Sequence, residues 1–335
     1  MYNVYFDSGT TNTRMYLLAE DGSIAYKAEK AAGSKDAALA QDKTLLAREL
    51  NLLFTAMLEK MHLEQKDIGS IWMSGMITSP NGIVEVPHIG VPADVRKLAS
   101  RVYRHHEDLY FKRDIMFIPG LKSVADGTTI SISNVDTINN MRGEETEIMG
   151  IMSTGTAAKG TCILILPGSH TQIAVVKDGR VVNIISTITG ELFKALKSQT
   201  ILSASLEGTG DRLDEEMVCM GYHNLEKYGF NRAIYIDRSL LLFTSSTPDQ
   251  RRSYLEGVLN GGVLQAIRAV TGGVHADAFV CGSDSQYRII AAIAQASYPE
   301  LTVHEAKNNP DLPFSVLGYA AVSHEYYSKH PAERI

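Results

Sequence analysis

The sequence predicts an α/β fold made of two similarly built domains. Helical and strand-like stretches alternate along the chain, which is the pattern of α/β proteins. A unit of strand, polar turn, strand, glycine turn and strand occurs near the start of each half. The 335 residues, 44% of them hydrophobic, exceed what one compact core usually requires. We therefore expect domains at 1–150 and 151–335 with a cleft between them.

The first half opens with a three-stranded meander, in which the polar turn DSGTTN and a glycine turn at 20–23 separate the strands. An amphipathic helix and two short apolar strands are expected to follow. The cluster Arg101–His106 is typical of the solvent-exposed face of a surface helix. The predicted elements of this half are strands at Tyr2–Phe6, Arg14–Ala19, Ile24–Ala28, Ser70–Ser74 and Asp114–Ile118, and a helix at Asp42–Met61.

The second half repeats the opening meander, with PGSHTQ as its polar turn and Lys177–Gly179 as its glycine turn. Because both halves open alike, we expect the two polar turns to face each other across the cleft and to clamp a polyphosphate. The predicted elements of this half are strands at Cys162–Leu166, Ile173–Val176, Val181–Ile185 and Ala278–Cys281, and helices at Gly190–Gln199, Arg212–Tyr228, Pro248–Val270, Pro313–His324 and from Ser285.

Composition argues against several classes of protein. The formal net charge of −6, without a lysine or arginine block, argues against a nucleic-acid partner. The chain has no apolar run of about eighteen residues and no signal-peptide pattern, so we expect neither a membrane span nor export. Its 3 cysteines are widely spaced, which fits the reducing cytoplasm and predicts no disulfide or zinc site. Dehydrogenase, hydrolase and P-loop motifs are missing.

The first polar turn, Asp7–Arg14, has the residues of a phosphate-binding loop. Gly9 lets the backbone come close to a ligand, Thr10 and Thr11 offer hydroxyls, and backbone N–H groups of such turns bind anions. Asp7 can hold magnesium through water. A plain hairpin turn would use the same residue types for backbone reasons alone. The matching turn Pro167–Thr171 in the second half favours the phosphate-binding interpretation.

A third motif, Met141–Glu147, combines an arginine with three carboxylates at a predicted helix start. Acidic residues also suit a helix N-terminus for electrostatic reasons, which is the alternative explanation. Beside a cleft, however, one carboxylate could act as general base for a sugar hydroxyl, and Arg142 could hold a substrate carboxylate. Phosphoryl transfer requires little more, because positioning and electrostatics do most of the catalysis.

Together these motifs resemble the 2-dehydro-3-deoxygalactonokinase family of the actin-like and hexokinase-like ATPase superfamily. The resemblance extends over nearly the whole chain, and its most specific signals are MRGEET and TGELF. The matching segments are DSGTTNTR at 7–14, SGMITSPNGIVEVPHIGVPA at 74–93, IPGL at 118–121, NMRGEETEIMG at 140–150, LPGSHTQ at 166–172 and ITGELF at 188–193.

The resemblance implies duplicated ribonuclease H-like (actin-like ATPase) domains with ATP and Mg²⁺ between them. Val280–Ser283 would belong to the adenosine pocket. The implied cofactor contacts are Gly9, Thr10, Thr11, Arg14, Gly168, Ser169, His170, Thr171, Gly282 and Ser283. The implied catalytic residues are Glu144 as base, Arg142, and Asp7 as magnesium ligand; the acceptor contacts are Asn12, Glu145, Thr189, Gly190 and Glu191. Glu145 and Asp7 remain alternatives for the base.

The implied reaction is phosphorylation of 2-keto-3-deoxygalactonate to its 6-phosphate in galactonate catabolism, so the partner is a small sugar acid. The chain departs from the family pattern at Ser8 and Ile83, where tryptophan is expected, and at Thr171–Ile173, which replaces a run ending in Lys-Trp. These changes leave open a kinase for another keto-deoxy sugar acid or sugar. A sensor that binds a sugar acid without turnover is the rival outside enzymes, and a homodimer is compatible with the apolar helix Val258–Val270.

Overall fold

The computed structural model describes residues 1–42, 44–157 and 159–333. Clustering of its contacts divides the chain into two compact units. Unit 1 comprises Met1–Lys159, Lys177–Ile184 and Asn308–Ile335, and unit 2 comprises Gly160–Val176 and Ile185–Lys307. Both units contain a sheet and helices, which confirms the predicted α/β class.

The elements are numbered along the chain. The strands are β1 Tyr2–Ser8, β2 Thr13–Leu18, β3 Ile24–Lys30, β4 Ile68–Gly75, β5 Ile89–Gly90, β6 Tyr103–Glu107, β7 Arg113–Phe117, β8 Leu121–Lys122, β9 Asn140–Met141, β10 Thr161–Leu166, β11 His170–Lys177, β12 Arg180–Ile188, β13 Ala276–Val280 and β14 Leu301–Glu305. The helices are α1 Ser34–Ala40, α2 Leu45–Met61, α3 Val95–Ala99, α4 Glu144–Ser153, α5 Gly190–Gln199, α6 Glu215–Tyr228, α7 Phe230–Phe243, α8 Pro248–Thr271, α9 Asp284–Ser297 and α10 Phe314–Lys329.

The main sheet of unit 1 has the strand order β3-β2-β1-β4-β7-β6. The meander β1–β2–β3 is antiparallel, whereas β4 runs parallel to β1 and β7 runs parallel to β4. Helix α2 buries Leu46, Leu50, Phe54 and Met57, whose spacing of three to four residues places them on one face. These side chains pack with the sheet in one apolar cluster. The predicted helix began at Asp42, and Lys43 within it lies outside the described residues.

The polar segment after α3 forms a strand. Tyr103–Glu107 pairs antiparallel with β7 at the edge of the sheet, so the solvent-exposed face predicted for Arg101–His106 belongs to an edge strand and not to a helix. Most of the segment is exposed, as expected, but the exposure arises because an edge strand presents its side chains to water.

Two glycines allow α4 and α10 of unit 1 to approach each other closely. A Cβ atom on Gly150 would lie 1.9 Å from the Phe314 carbonyl oxygen. A Cβ atom on Gly318 would lie 1.7 Å from the Thr146 carbonyl oxygen. Real Cβ atoms do not come so near to backbone atoms, so only glycine permits this crossing. The crossing places Phe314, at the start of α10, beside Gly150 in the second half of α4, and Gly318 beside Thr146 in the first turn of α4.

The main sheet of unit 2 has the order β12-β11-β10-β13-β14, and β13 runs parallel to both of its neighbours. Its order equals that of β3-β2-β1-β4-β7 in the first sheet. This shared order is that of ribonuclease H-like domains, so the duplication expected from the sequence is confirmed. Helices α6, α8 and α9 contribute to the apolar cluster that packs with this sheet. No helix among the described residues is long and apolar enough to cross a membrane.

Candidate active site

The first polar turn of unit 1 is a compact loop between β1 and β2. The Gly9 N–H donates to the Asn12 carbonyl at 2.8 Å, and the Lys35 N–H donates to the Thr10 carbonyl at 3.0 Å. A Cβ atom on Gly33 would lie 2.3 Å from the Thr10 carbonyl oxygen, so the residue directly before α1 packs closely against the loop. Thr10 and Asn12 are exposed. The loop backbone is thus fixed while its polar side chains face solvent, as a phosphate loop requires.

Asp7 lies at the end of β1, directly before this loop, with its side chain 15% exposed. Its partner across the β1–β2 ladder is Arg14, whose guanidinium stands 4.0 Å from the carboxylate. The hydroxyl of Ser315, at the start of α10, acts on this carboxylate and favours its ionised form. Burial raises the pKa of Asp7, and the Arg14 charge and the Ser315 hydroxyl partly offset this effect.

Helix α4 begins against the ends of β1 and β4. Gly75 ends β4 with a φ of 85°, and a Cβ atom there would lie 2.2 Å from the Ser8 carbonyl oxygen. Gly143, directly before α4, has a φ of 114°, and a Cβ atom there would lie 3.4 Å from the Gly75 Cα. Glycine adopts such backbone angles without strain. These two glycines bring the first turn of α4 beside the strand that carries Asp7.

The first turn of α4 contains Glu144, Glu145 and Glu147. Glu145 has 0% exposure, and its Oε2 accepts a hydrogen bond from the Gly143 N–H at 2.7 Å. Burial, followed by the Glu144 charge, raises the pKa of Glu145 to about 8. Burial, followed by the charges of Asp7 and Glu144, raises the pKa of Glu147 to about 8. Glu144 is partly exposed, and its Oε2 accepts from the Arg142 backbone N–H at 3.2 Å.

We expect a distinct pH dependence of stability from Glu145. Its pKa rises from an ordinary 4.5 to about 8 on folding, so the folded state binds more protons between these values. The free energy of unfolding should therefore fall as pH rises from about 5 to 8. Glu145→Gln should flatten this slope in urea unfolding curves, because the amide does not ionise. Glu20→Gln is the exposed control and should keep the wild-type slope. An unchanged slope in Glu145→Gln would contradict the prediction.

Arg142 is held by a segment far away in the sequence. Its Nη1 donates to the Thr78 Oγ1 at 2.6 Å, and its Nη2 contacts the Val86 carbonyl at 2.9 Å and the His88 Nδ1 at 3.2 Å. These partners lie 54 to 64 residues before it. Burial lowers the pKa of Arg142, and Glu145 and Glu85 partly offset this effect. Sequence reasoning missed Thr78 and His88, because no local pattern links them to Arg142.

In unit 2 the second polar turn is packed against the start of α5. The Glu191 N–H donates to the Ser169 carbonyl at 2.9 Å, and a Cβ atom on Gly190 would lie 2.4 Å from the Gly168 carbonyl oxygen. The Nε2 of His170 stands 3.3 Å from the Glu191 carboxylate. The structure thus brings together the predicted phosphate loop and the predicted acceptor contacts of this unit.

Thr171, which the sequence placed in the polar turn, is part of strand β11, and its buried hydroxyl lies 2.8 Å from that of Thr189, directly before α5. The loop after β13 also lies close to the turn. A Cβ atom on Gly282 would lie 3.2 Å from the Pro167 Cγ. Ser283 caps α9 by accepting from the Gln286 N–H at 3.3 Å. The predicted adenosine loop and the second phosphate turn are therefore neighbours in unit 2.

The carboxylates of unit 1 are candidate ligands for magnesium. Within the described residues, no group of three or more His, Cys, Asp or Glu side chains is arranged to hold a metal ion. Mg²⁺ bound with a nucleotide needs only one or two carboxylates, because phosphates and water supply its other ligands. Asp7, a partly exposed carboxylate directly before a phosphate-type loop, fits this second arrangement.

The chain is similar to a known protein family. The family model described as 2-keto-3-deoxy-galactonokinase matches residues 7–309. The chain belongs to the 2-keto-3-deoxy-galactonokinase family. The matched range contains the predicted site residues of both units, from Asp7 to Ser283. Membership confirms the family expected from the motifs and the enzyme class, a phosphotransferase with an alcohol acceptor. It also supports the expected function, ATP-dependent phosphorylation of a keto-deoxy sugar acid.

Individual proteins that are similar to this chain are named as kinases of the same kind. A Rhizobium meliloti (strain 1021) protein named as a candidate 2-dehydro-3-deoxygalactonokinase, DgoK1, is 29% identical over 202 residues, covering 60% of this chain and 58% of the relative. The Escherichia coli (strain K12) 2-dehydro-3-deoxygalactonokinase is 22% identical over 285 residues, covering 84% and 85%. A solved structure of a candidate 2-dehydro-3-deoxygalactonokinase from Sinorhizobium meliloti covers 98% of this chain and 100% of its own, with a TM-score of 0.75 and 21% identity. This last likeness shows a shared fold.

Proposed function

We propose that the chain transfers the γ-phosphate of ATP to the terminal hydroxyl of 2-keto-3-deoxygalactonate, which gives the 6-phosphate. The observation that carries the proposal is the start of α4. There Gly75 and Gly143 place three carboxylates beside the strand of Asp7, within a chain that belongs to a kinase family. Such a site needs a base, a magnesium ligand and phosphate-binding loops.

Glu144 is the proposed general base. A base must reach the acceptor hydroxyl, and the fully buried side chain of Glu145 has no exposed surface with which to do so. The raised pKa of Glu145, about 8, also favours its protonated form at neutral pH. Asp7 is better suited to the metal, because it adjoins the first loop. Glu144 is partly exposed and is oriented by its hydrogen bond from the Arg142 backbone.

Asp7 is the proposed magnesium ligand, acting directly or through water. Bound with ATP, Mg²⁺ would neutralise charge that develops on the phosphates. The contribution of the chain is to keep the Asp7 carboxylate in place. Its partners Arg14 and Ser315 do this, and both favour the ionised form. Arg14 also offers a positive charge close to the phosphates.

The remaining residues bind the nucleotide and the acceptor. Their proposed roles follow the positions described above for the two turns and for the loop after β13. Nucleotide contacts come from Gly9, Thr10, Thr11, Arg14, Gly168, Ser169, His170, Thr171, Gly282 and Ser283. Acceptor contacts come from Asn12, Arg142, Thr189, Gly190 and Glu191. Glu145, which the sequence placed among them, is fully buried and is therefore not proposed as a contact. Arg142 offsets the negative charge of the sugar acid. We further propose a cytoplasmic location, which the wide spacing of the three cysteines in the sequence supports.

The first experiment is ADP release from Mg²⁺ and ATP over a panel of acceptors. The panel contains 2-keto-3-deoxygalactonate, its gluconate epimer, galactonate, plain hexoses and glycerol. We expect 2-keto-3-deoxygalactonate to lead in kcat/KM, because Arg142 suits the carboxylate and the family acts on this acid. A margin over glycerol of at least about 10³-fold is expected, since glycerol lacks most of the binding groups.

Two outcomes of the panel would contradict the proposed function. A different acid in the lead would retain the kinase mechanism and change the acceptor, and the residues that replace the family pattern, Ser8 and Ile83, would then be the first to revert. Binding of ATP and sugar acids without any turnover would indicate a sensor.

A further inference from the structure

His88 lies beside the Arg142 guanidinium, and this contact determines which nitrogen of the His88 ring carries the proton. A guanidinium carries only N–H donors, so the His88 Nδ1, 3.2 Å from the Arg142 Nη2, must accept the hydrogen bond. Nδ1 is therefore unprotonated, and the neutral ring carries its proton on Nε2. Together with Thr78 and Val86, His88 gives the planar guanidinium three acceptors. Three contacts to a rigid fork fix its position and its plane.

The surroundings of His88 favour this neutral form. Arg142 and Lys122 are the charged groups that act on its ring, and both are cationic. Burial, followed by these two charges, lowers the pKa of His88 to about 4. Gly120 packs against both side chains. A Cβ atom on Gly120 would lie 2.8 Å from the His88 Cδ2 and 3.0 Å from the Arg142 Cγ. The ring and the arginine stem therefore rest on the same surface.

The second ring nitrogen contacts Asn140. The His88 Nε2 lies 3.4 Å from the Asn140 side-chain nitrogen. Because Nε2 carries the proton, the contact becomes a hydrogen bond when the amide is turned so that its oxygen faces the ring, and the two orientations have nearly the same shape. The chain Asn140–His88–Arg142 then has matching donors and acceptors throughout.

We propose that His88 is a positioning residue of the kinase reaction, which fixes Arg142 for the carboxylate of the sugar-acid acceptor through its Nδ1 in the Nε2–H tautomer. The role of Arg142 in acceptor binding rests on the proposed function. The state and the contact of His88 do not rest on it. His88 itself touches no reacting atom, so its effect reaches the acceptor only through Arg142.

The kinetic test compares His88→Leu with His88→Asn. Leucine removes the acceptor atom, and we expect kcat/KM for the sugar acid to fall about 10- to 100-fold while KM for ATP changes less than about twofold. Asparagine places an amide oxygen near the position of Nδ1 and should restore most of the loss. His62→Asn, at the exposed C-terminal end of α2, is the control and should behave as wild type. Equal activity of the Leu variant and wild type, or no rescue by Asn, would overturn the proposal.

A second measurement separates this inference from the proposed function. In ¹⁵N-labelled wild-type protein, the His88 ring should show the Nε2–H tautomer and should titrate near pH 4. An Nδ1–H tautomer or a charged ring at neutral pH would overturn the proposal whether or not the protein phosphorylates a sugar acid. If no acceptor is turned over but the Nε2–H tautomer is found, the reaction assignment fails and the His88–Arg142 contact stands. The same measurement decides the matter if His88→Leu does not fold.

Discussion

Replacing Glu144 by glutamine should lower kcat for sugar-acid phosphorylation by about 10²- to 10⁴-fold, the usual contribution of a general base. Glutamine has nearly the same shape and keeps an oxygen that can accept from the Arg142 backbone N–H. It cannot take up the proton of the acceptor hydroxyl. KM for ATP should change little, because the two proposed phosphate-binding turns are untouched. Steady-state ADP release with saturating acceptor measures the effect.

Two neighbouring variants distinguish Glu144 from the alternative bases. Glu145→Gln should reduce kcat at least about ten times less than Glu144→Gln, because a protonated, buried carboxyl is already a neutral group. Asp7→Asn should act differently again, by raising the Mg²⁺ concentration needed for half-maximal rate. Near-normal turnover of Glu144→Gln would show that the base assignment is wrong. A larger loss in Glu145→Gln would transfer the role to that residue.

Much of the fold follows from local sequence patterns. The two meanders were predicted because polar or glycine turns separate short apolar strands, and all six of their strands are present. Helix α5 has the predicted bounds, Gly190–Gln199. Its amphipathic spacing and its glycine start are signals that a few adjacent residues contain. Such local signals can be recognised without knowledge of tertiary contacts.

Elements without a local signal were missed. Helix α7 begins directly after Gly229, the residue that ends α6, so the two helices share one boundary. Several of its large apolar side chains, including Tyr235 and Phe243, are exposed, and its two fully buried residues are the small Ala233 and the polar Asp237, so the apolar spacing is a weak signal. Strand β6 was missed for a similar reason. An edge strand of mainly polar residues is defined by its partner β7 rather than by its own pattern.

The candidate site shows the same limit. Asp7 and the two polar turns could be recognised because each lies within a short motif at the end of a strand. The partners of Arg142 could not, since Thr78 and His88 become neighbours only when the chain folds. Burial of Glu145 is also a tertiary effect, and it distinguishes carboxylates that are adjacent in the sequence.

Replacing Gly318 by alanine should be the most destabilising single-methyl change in unit 1. The new Cβ would overlap the Thr146 carbonyl oxygen at 1.7 Å, and that atom belongs to the backbone of α4. The two helices must therefore move apart. We expect a loss of about 3 kcal/mol, which lowers the melting temperature by roughly 6 to 12 °C. Thermal unfolding followed by circular dichroism measures the shift.

The matched control is Gly262→Ala, in the middle of α8. No atom lies within 4 Å of the position its Cβ would take, so the methyl group fits. Alanine should stabilise that helix by about 0.5–1 kcal/mol, because it restricts the unfolded chain more than glycine does. An unchanged melting temperature of Gly318→Ala would show that α4 and α10 do not cross as closely as described.

The crossing also connects stability with the site. Helix α10 carries Ser315, whose hydroxyl favours the ionised form of Asp7, and Tyr319, whose ring stacks on Tyr5 with the two ring centroids 4.7 Å apart. Moving α10 away from α4 would weaken the effect of the Ser315 hydroxyl, which favours the ionised form of Asp7. At a temperature where it is still folded, Gly318→Ala should therefore need more Mg²⁺ for half-maximal rate, in the same direction as Asp7→Asn. An unchanged Mg²⁺ requirement in a folded, destabilised variant would show that α10 supports the fold without supporting the Asp7 carboxylate.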